Sequence, residues 1–328
     1  ALGTASISVG GDKSSIIVNN VFKTYYDEDI VEAWAEITNG GRKSATLTRY
    51  YSAQMPLHTG DVWISTLSGS WTNESNVFQE PLVRGTKLIK NMDGVRNSQT
   101  AHAEVMLSLD GKPREESGDV IGAALCYTGN YQIDITTSVA QMGVNTPLSD
   151  YHCYSAGICP DNSAYPLLPK EVFTTPEVAL TYSTEGLGGA SRAFHRWARA
   201  HKLAHGDRPR SILLNSWEGV YFDIEESNMN RMMADLAAIG GELFVMDDGW
   251  FGDKYQRDNS SALGDWAVDK RKLPSFDKRL CEVLACCGKF LALIEQVCDF
   301  GIGAAPFSGR RGDNKTAGRF YLNDCLDL

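Results

Sequence analysis

The sequence predicts an antiparallel β-sandwich followed by a parallel α/β unit, and three features of its apolar pattern say so. Apolar residues alternate with period two in short stretches up to about Ser183, a helical period takes over at residues 188–203, and strand and helix signals alternate from Arg210 onward.

The first half is read from its alternation. Val31, Ala33, Ala35 and Ile37 interleave with Glu32, Trp34, Glu36 and Thr38, and the same rhythm recurs at Val105, Leu107 and Leu109 and at Tyr131, Ile133 and Ile135. Such stretches are half-buried strands with the second set facing water. Asn39-Gly40, Asp93-Gly94, Asp110-Gly111 and Thr128-Gly129-Asn130 supply turn chemistry between them, which implies hairpins stacked into a sandwich. No catalytic cluster stands out in this half.

Residues 188–203 place Ala193, Phe194, Trp197, Ala198 and Leu203 on one face among Arg192, Arg196 and Arg199, the pattern of a connecting helix that ends near Gly206. The polar stretch Asp207-Arg208-Pro209-Arg210 marks a boundary. The expected division is a sandwich over 1–187, a linker helix over 188–209 and an α/β domain over 210–328.

A strand over 211–215 then leads to Trp217 and to a helix with Met229, Met232, Met233 and Leu236 at i, i+3, i+4 and i+7, opened by Asp223 and Glu226 and stopped by Gly240-Gly241. The methionine stripe is core rather than a cofactor box. The next strand ends at Met246, a long loop runs to Pro274, a helix carries Leu280, Val283, Leu284 and Cys287, and a third strand covers Lys289–Ile294. This βαβαβ order implies a parallel sheet. A complete eight-fold barrel takes about 250 residues, so the roughly 120 after Arg210 hold half a barrel or a small open sheet.

Composition narrows the partners. With 43% apolar and 22% charged residues the chain is neither disordered nor a membrane protein, and no apolar run is long enough to span a bilayer. A net charge of −10 opposes binding to nucleic-acid phosphates and leaves a neutral ligand unaffected. The eight cysteines form no Cys-x-x-Cys pair and no histidine follows His205, so neither a metal nor a cofactor is expected. Free thiols are expected, with one bridge between Cys153 and Cys159 conceivable in an oxidising compartment.

Residues 243–252 carry the chemistry: Leu-Phe-Val-Met, then Asp247, Asp248, Gly249, Trp250 and Phe251. Ligands bind at the carboxyl ends of parallel strands, so acids and aromatics there predict a site. Indole faces stack on the C–H faces of sugars while carboxylates accept their hydroxyls. Adjacent strand residues point to opposite faces, so Asp247 and Asp248 are not the pair about 5–5.5 Å apart that a retaining glycosidase needs, and they are read as hydroxyl-binding groups. The competing reading is that they cap the loop before Gly249. Trp217 lies just past the preceding strand and so at the same mouth. Arg257, Asp265 and Trp266 sit in a long loop able to shape the pocket, and Glu295 closes the third strand. Without histidine, acid–base work here falls to carboxylates.

Three segments then carry a resemblance: Arg208-Pro-Arg-Ser-Ile-Leu-Leu-Asn-Ser-Trp-Glu-Gly-Val-Tyr-Phe-Asp223, Leu243–Gly252, and Leu263-Gly-Asp-Trp-Ala-Val-Asp-Lys-Arg-Lys-Leu-Pro274. With Thr174–Ser183 and Leu67-Ser-Gly-Ser-Trp71, they resemble the α-galactosidases of glycoside hydrolase family 36 across roughly residues 10 to 275. The resemblance implies a β-supersandwich followed by a (β/α)8 TIM barrel present in part, and retaining hydrolysis of terminal α-galactose from melibiose- and raffinose-type oligosaccharides. It makes Trp217, Asp247, Asp248 and Trp250 substrate-binding residues, with Arg319 a further one. The family's nucleophile and acid/base are aspartates on the fourth and a later barrel strand, and no catalytic residue is identified in this chain. The likeness weakens at Leu293 and Gln296-Val297 and nearly ends past Cys298. A partial enzyme of little or no activity is therefore expected. A non-catalytic sugar-binding or scaffold protein, or an α-N-acetylgalactosaminidase, are the alternatives. The complete enzyme is expected to be a homo-oligomer in the cytoplasm, with the periplasm as the other compartment.

Overall fold

The computed structural model describes residues 2–9 and 15–275, apart from 58–59, 95, 97–98, 141–148 and 162. The helix expected over Leu280–Cys287, the strand over Lys289–Ile294, Glu295 and Arg319 lie outside the described residues. The chain divides into two compact units, Ala1–Arg208 and Pro209–Leu328.

Besides a small sheet that pairs Ala45–Leu47 with Tyr165–Leu167, the first unit is built from two large facing antiparallel sheets. The larger runs in the order Leu2–Val9, Ile16–Tyr25, Ile30–Asn39, Glu177–Ser183, Val120–Cys126, Ala101–Ser108, Trp63–Ser70 and Asn73–Pro81, with Val172–Thr174 also paired to Ile30–Asn39. The smaller runs Ala53–Leu57, Ser149–Ile158, Tyr131–Ala140 and Gly85–Asn91. Ile64, Leu107, Leu125 and Val178 from one sheet meet Ile133, Ile135, Tyr154 and Ala156 from the other in a single core. Each such fully buried aliphatic side chain contributes about 1.5–3 kcal/mol. The alternation read from sequence holds at Val105, Leu107, Tyr131, Ile133 and Ile135, all buried.

Four expectations for this unit are corrected. Of the four turn signals, only Asp110-Gly111 lies in a link between paired strands; Asn39-Gly40, Asp93-Gly94 and Thr128-Gly129-Asn130 carry the chain from one sheet to another. Turn residues specify reversal, and the layer the chain returns to is set by packing. Glu32, placed on the solvent face by alternation, is fully buried, because the helix Gly186–Trp197 covers that side of the sheet. The helix gives way at Ala198–Lys202 to a π-helical turn, after which Leu203 is 53% exposed rather than part of the apolar face. Cys153 and Cys159 are both free. One lies in the strand Ser149–Ile158 and the other just past it, and six residues of extended chain, about 20 Å, cannot be bridged.

The second unit begins with a βαβ unit. Strands Leu213–Asn215 and Leu243–Val245 pair in parallel, with Leu214 opposite Phe244. Between them the helix Glu226–Ala238 buries Met229 and Leu236 against Phe244 and Met246, with Met232 and Met233 packed alongside. The methionine stripe is core. Asp223 does not cap this helix; its first N–H is met from outside, Glu226 N–H donating to Lys272 O at 3.1 Å. At the far end Gly240, at φ 85°, and Gly241 donate to the carbonyls of Ala237 and Leu236, a Schellman stop.

Candidate functional site

Because the two short strands are parallel, their carboxyl ends open on one side, and each continues into polar residues there. Asn215 bridges the pair. Its Nδ2 donates to Asp247 Oδ2 at 2.7 Å, and its Oδ1 accepts the Trp217 backbone N–H at 2.7 Å. Ser216, fully buried, donates its N–H to Val245 O at 3.0 Å and accepts the Asp247 N–H on Oγ at 3.0 Å. Asp247 Oδ1 accepts the Asp248 N–H at 2.7 Å. Side chains thus take over from the ladder where it stops. The ladder ends at Val245, so both aspartates lie beyond the strand. What separates them is a difference in partners, not the opposite faces of a strand.

Asp248 is held by Arg257. Nε and Nη2 donate to its two oxygens at 2.9 and 2.7 Å, a bidentate pair. The arginine is buried, its guanidinium 5.1 Å from the Phe222 ring centroid and 5.8 Å from that of Phe251, with Nη1 donating to Ser261 O at 3.3 Å. The Asp248 side chain keeps 28% of its surface exposed. A carboxylate has about four lone-pair positions, and the arginine uses two.

Trp217 is half-buried and meets Tyr221 and Phe222 nearly at right angles, at 5.3 and 5.0 Å between ring centroids. The short helix Trp217–Val220 ends at Tyr221, held at φ 48° and ψ −128°. A non-glycine residue there stores about 1–3 kcal/mol, strain of the kind found at ligand sites. Lys272 ties the two strand-end loops together, its Nζ donating to Phe222 O at 2.8 Å and to Gly249 O at 2.9 Å. Gly249 adopts φ 110°, and a Cβ there would lie 3.0 Å from the Phe222 Cα.

Trp250 is placed differently from its expected role. It is 8% exposed and belongs to the core with Ile224, Met229, Phe244 and Leu273, so its ring packs instead of offering a face. Trp266, 4.6 Å from the Phe251 ring, is 60% exposed. The loop that carries it is pinned at Asp269, whose N–H donates to Trp250 O at 3.0 Å. Hydrogen bonds from Arg271 hold the Asp269 carboxyl below the usual carboxylate range, outweighing its burial. In the same loop, N–H and hydroxyl donors of Ser260, with Ser261, lower Asp258 to about 2.

Residues 3–149 match the glycosyl hydrolase family 36 N-terminal domain, and residues 172–291 match the Melibiase family. The chain belongs to glycoside hydrolase family 36. This family 36 chain is 34% identical over 277 residues to the alpha-galactosidase AgaA of Geobacillus stearothermophilus, covering 83% of this chain and 36% of that protein. It is 31% identical over 279 residues to the probable alpha-galactosidase G of Aspergillus terreus, covering 84% and 37%. It therefore spans little more than a third of the length of these relatives. Crystal structures of AgaA variants in complex with stachyose and with raffinose superpose with a TM-score of 0.79 at 31% identity, over 89% of this chain and 39% of theirs.

Sequence reasoning missed Asn215, Ser216 and Lys272 as parts of the strand-end cluster around Asp247 and Trp217. Asn215-Ser216, two polar residues directly after an apolar strand, was a usable signal. Lys272 had none, because its contacts are to backbone carbonyls distant in sequence.

Proposed function

We propose that this chain serves α-galactosidase chemistry, the retaining hydrolysis of terminal α-galactosyl residues from raffinose- and melibiose-type oligosaccharides, and that its part is to bind the galactose. The observation that carries this reading is the placement of two carboxylates, Asp247 and Asp248, beside Trp217 at the carboxyl ends of two parallel strands. The AgaA complexes with raffinose and stachyose support the substrate class. On this reading the βαβ unit is the start of a (β/α)8 barrel over 210–328, preceded by a sandwich over 1–187 and a linker over 188–209.

Retaining hydrolysis needs one carboxylate to attack the anomeric carbon and a second to protonate the leaving oxygen. Neither described aspartate suits attack: Asp248 is clamped by a guanidinium, and Asp247 gives its oxygens to Asn215 and to the Asp248 N–H. Their remaining lone pairs suit sugar hydroxyls, with the Trp217 indole against the apolar face of the ring. Calorimetric titration with galactose tests this. Binding that Trp217→Ala and Asp248→Asn each weaken about tenfold or more is expected, the scale of a lost charged hydrogen bond or aromatic contact. Failure of the chain to bind galactose would sink the reading. Binding without release of p-nitrophenol from p-nitrophenyl α-galactoside favours a sugar-binding protein on the same fold.

A further inference from the structure

We infer that Arg257 is a positioning residue of the sugar site, acting through Asp248, an inference that rests on the galactose-binding reading above. It is buried, so its charge needs a partner, and two of its five N–H donors go to the two oxygens of one carboxylate. That fork fixes the plane of the Asp248 carboxylate as well as its place, and so fixes where its free lone pairs point. Two further contacts keep the fork from turning. The guanidinium stands over the rings of Phe222 and Phe251, one from each strand-end loop, and Nη1 is held by Ser261 O.

The pair also answers an electrostatic difficulty. Asp247 and Asp248 are neighbours, and a sugar site needs both as hydroxyl acceptors. Neighbouring like charges disfavour one another, and a guanidinium on one of them offsets part of that repulsion. Asp247, bonded to the neutral Asn215 amide, has no such cation among the described residues. Arg257 is too buried to bind sugar itself, so its effect must pass through Asp248.

Galactose titration of Arg257→Gln, Arg257→Lys, Asp248→Asn and the Asp248→Asn/Arg257→Gln double variant tests this, with thermal melts of each. Arg257→Gln is expected to weaken galactose binding about tenfold or more. Arg257→Lys should recover only part of it, since an ammonium is a point charge without a fork. In the Asp248→Asn background, Arg257→Gln should weaken binding no further, because the residue it acts through is already changed. Unaltered galactose binding by Arg257→Gln overturns the inference while leaving the sugar-site reading standing. So does a loss of equal size in both backgrounds, which marks Arg257 as a loop staple only. Arg257→Lys keeps the inference testable if Arg257→Gln fails to fold: full recovery of affinity by lysine overturns it. No galactose binding by the unsubstituted chain overturns both readings together.

Discussion

At the scale of single residues, the proposed sugar site turns on how Asp248 is held. Its carboxylate is neither free nor exhausted, and the same holds for Asp247, whose two oxygens are tied to Asn215 and to the next backbone N–H. Removing Asn215 would release both Asp247 and the N–H of Trp217. Asn215→Ala is expected to weaken galactose binding with a loss of about 1–2 kcal/mol in stability, read by calorimetry and urea unfolding. Gly249→Ala should destabilise by more than about 1 kcal/mol, because alanine is strained at φ 110° and its Cβ would press on the Phe222 backbone. A urea titration checks it. That Asp247, Asp248 and Trp217 come together at the strand ends was legible in sequence because each closely follows an apolar strand run. Trp250 was misread for the same reason: adjacency in sequence put it near the acids, while its burial depends on the helix Glu226–Ala238 and on Leu273.

At the scale of elements, the linker helix is fastened by charge. Glu32 accepts a hydrogen bond from Tyr25 Oη at 2.6 Å and forms an ion pair with Lys202, and Lys23 stands 3.8 Å away. Lys202 also reaches Glu177 at 3.1 Å and sits 4.9 Å over the Trp197 ring. Burial pushes the Glu32 carboxyl up, but the hydrogen bonds from Lys202 and Tyr25 outweigh it and hold it below the usual carboxylate range. A carboxyl lowered in the folded state stabilises above its unfolded value near about 4.3, and that stability is lost as pH falls through the folded value. Glu32→Gln is therefore expected to flatten the acid limb of a melting-temperature profile. Its cost at neutral pH should fall at or below the low end of the about 3–5 kcal/mol for breaking a buried pair, because Lys202 keeps 35% of its side chain in solvent. A melting temperature equal to that of the unsubstituted chain at pH 7 would refute the clamp. None of this was legible from alternation. Period two divides a strand into two faces, and whether the outer face meets water depends on a helix more than 150 residues later.

For the whole molecule, a net charge of −10 and the neutral sugar proposed as ligand make a distinct combination. Charge repels polyanions but leaves a hexose indifferent, so raising ionic strength should change the galactose Kd by less than about twofold in calorimetry. The division into two units was marked in sequence by the polar stretch Asp207-Arg208-Pro209-Arg210, which brackets the boundary between Arg208 and Pro209. The distribution of strands between the sheets was not, because the same turn chemistry serves a hairpin and a crossing between layers. The larger sheet has a further consequence through its middle strand. Glu177–Ser183 joins Ile30–Asn39 on one side to Val120–Cys126 on the other, so the last strand of the sheet to be translated lies at its centre. During synthesis the flanking blocks must wait, each with an open edge, until that segment leaves the ribosome. The sheet closes only then, almost in step with the Lys202 clamp that follows 19 residues later.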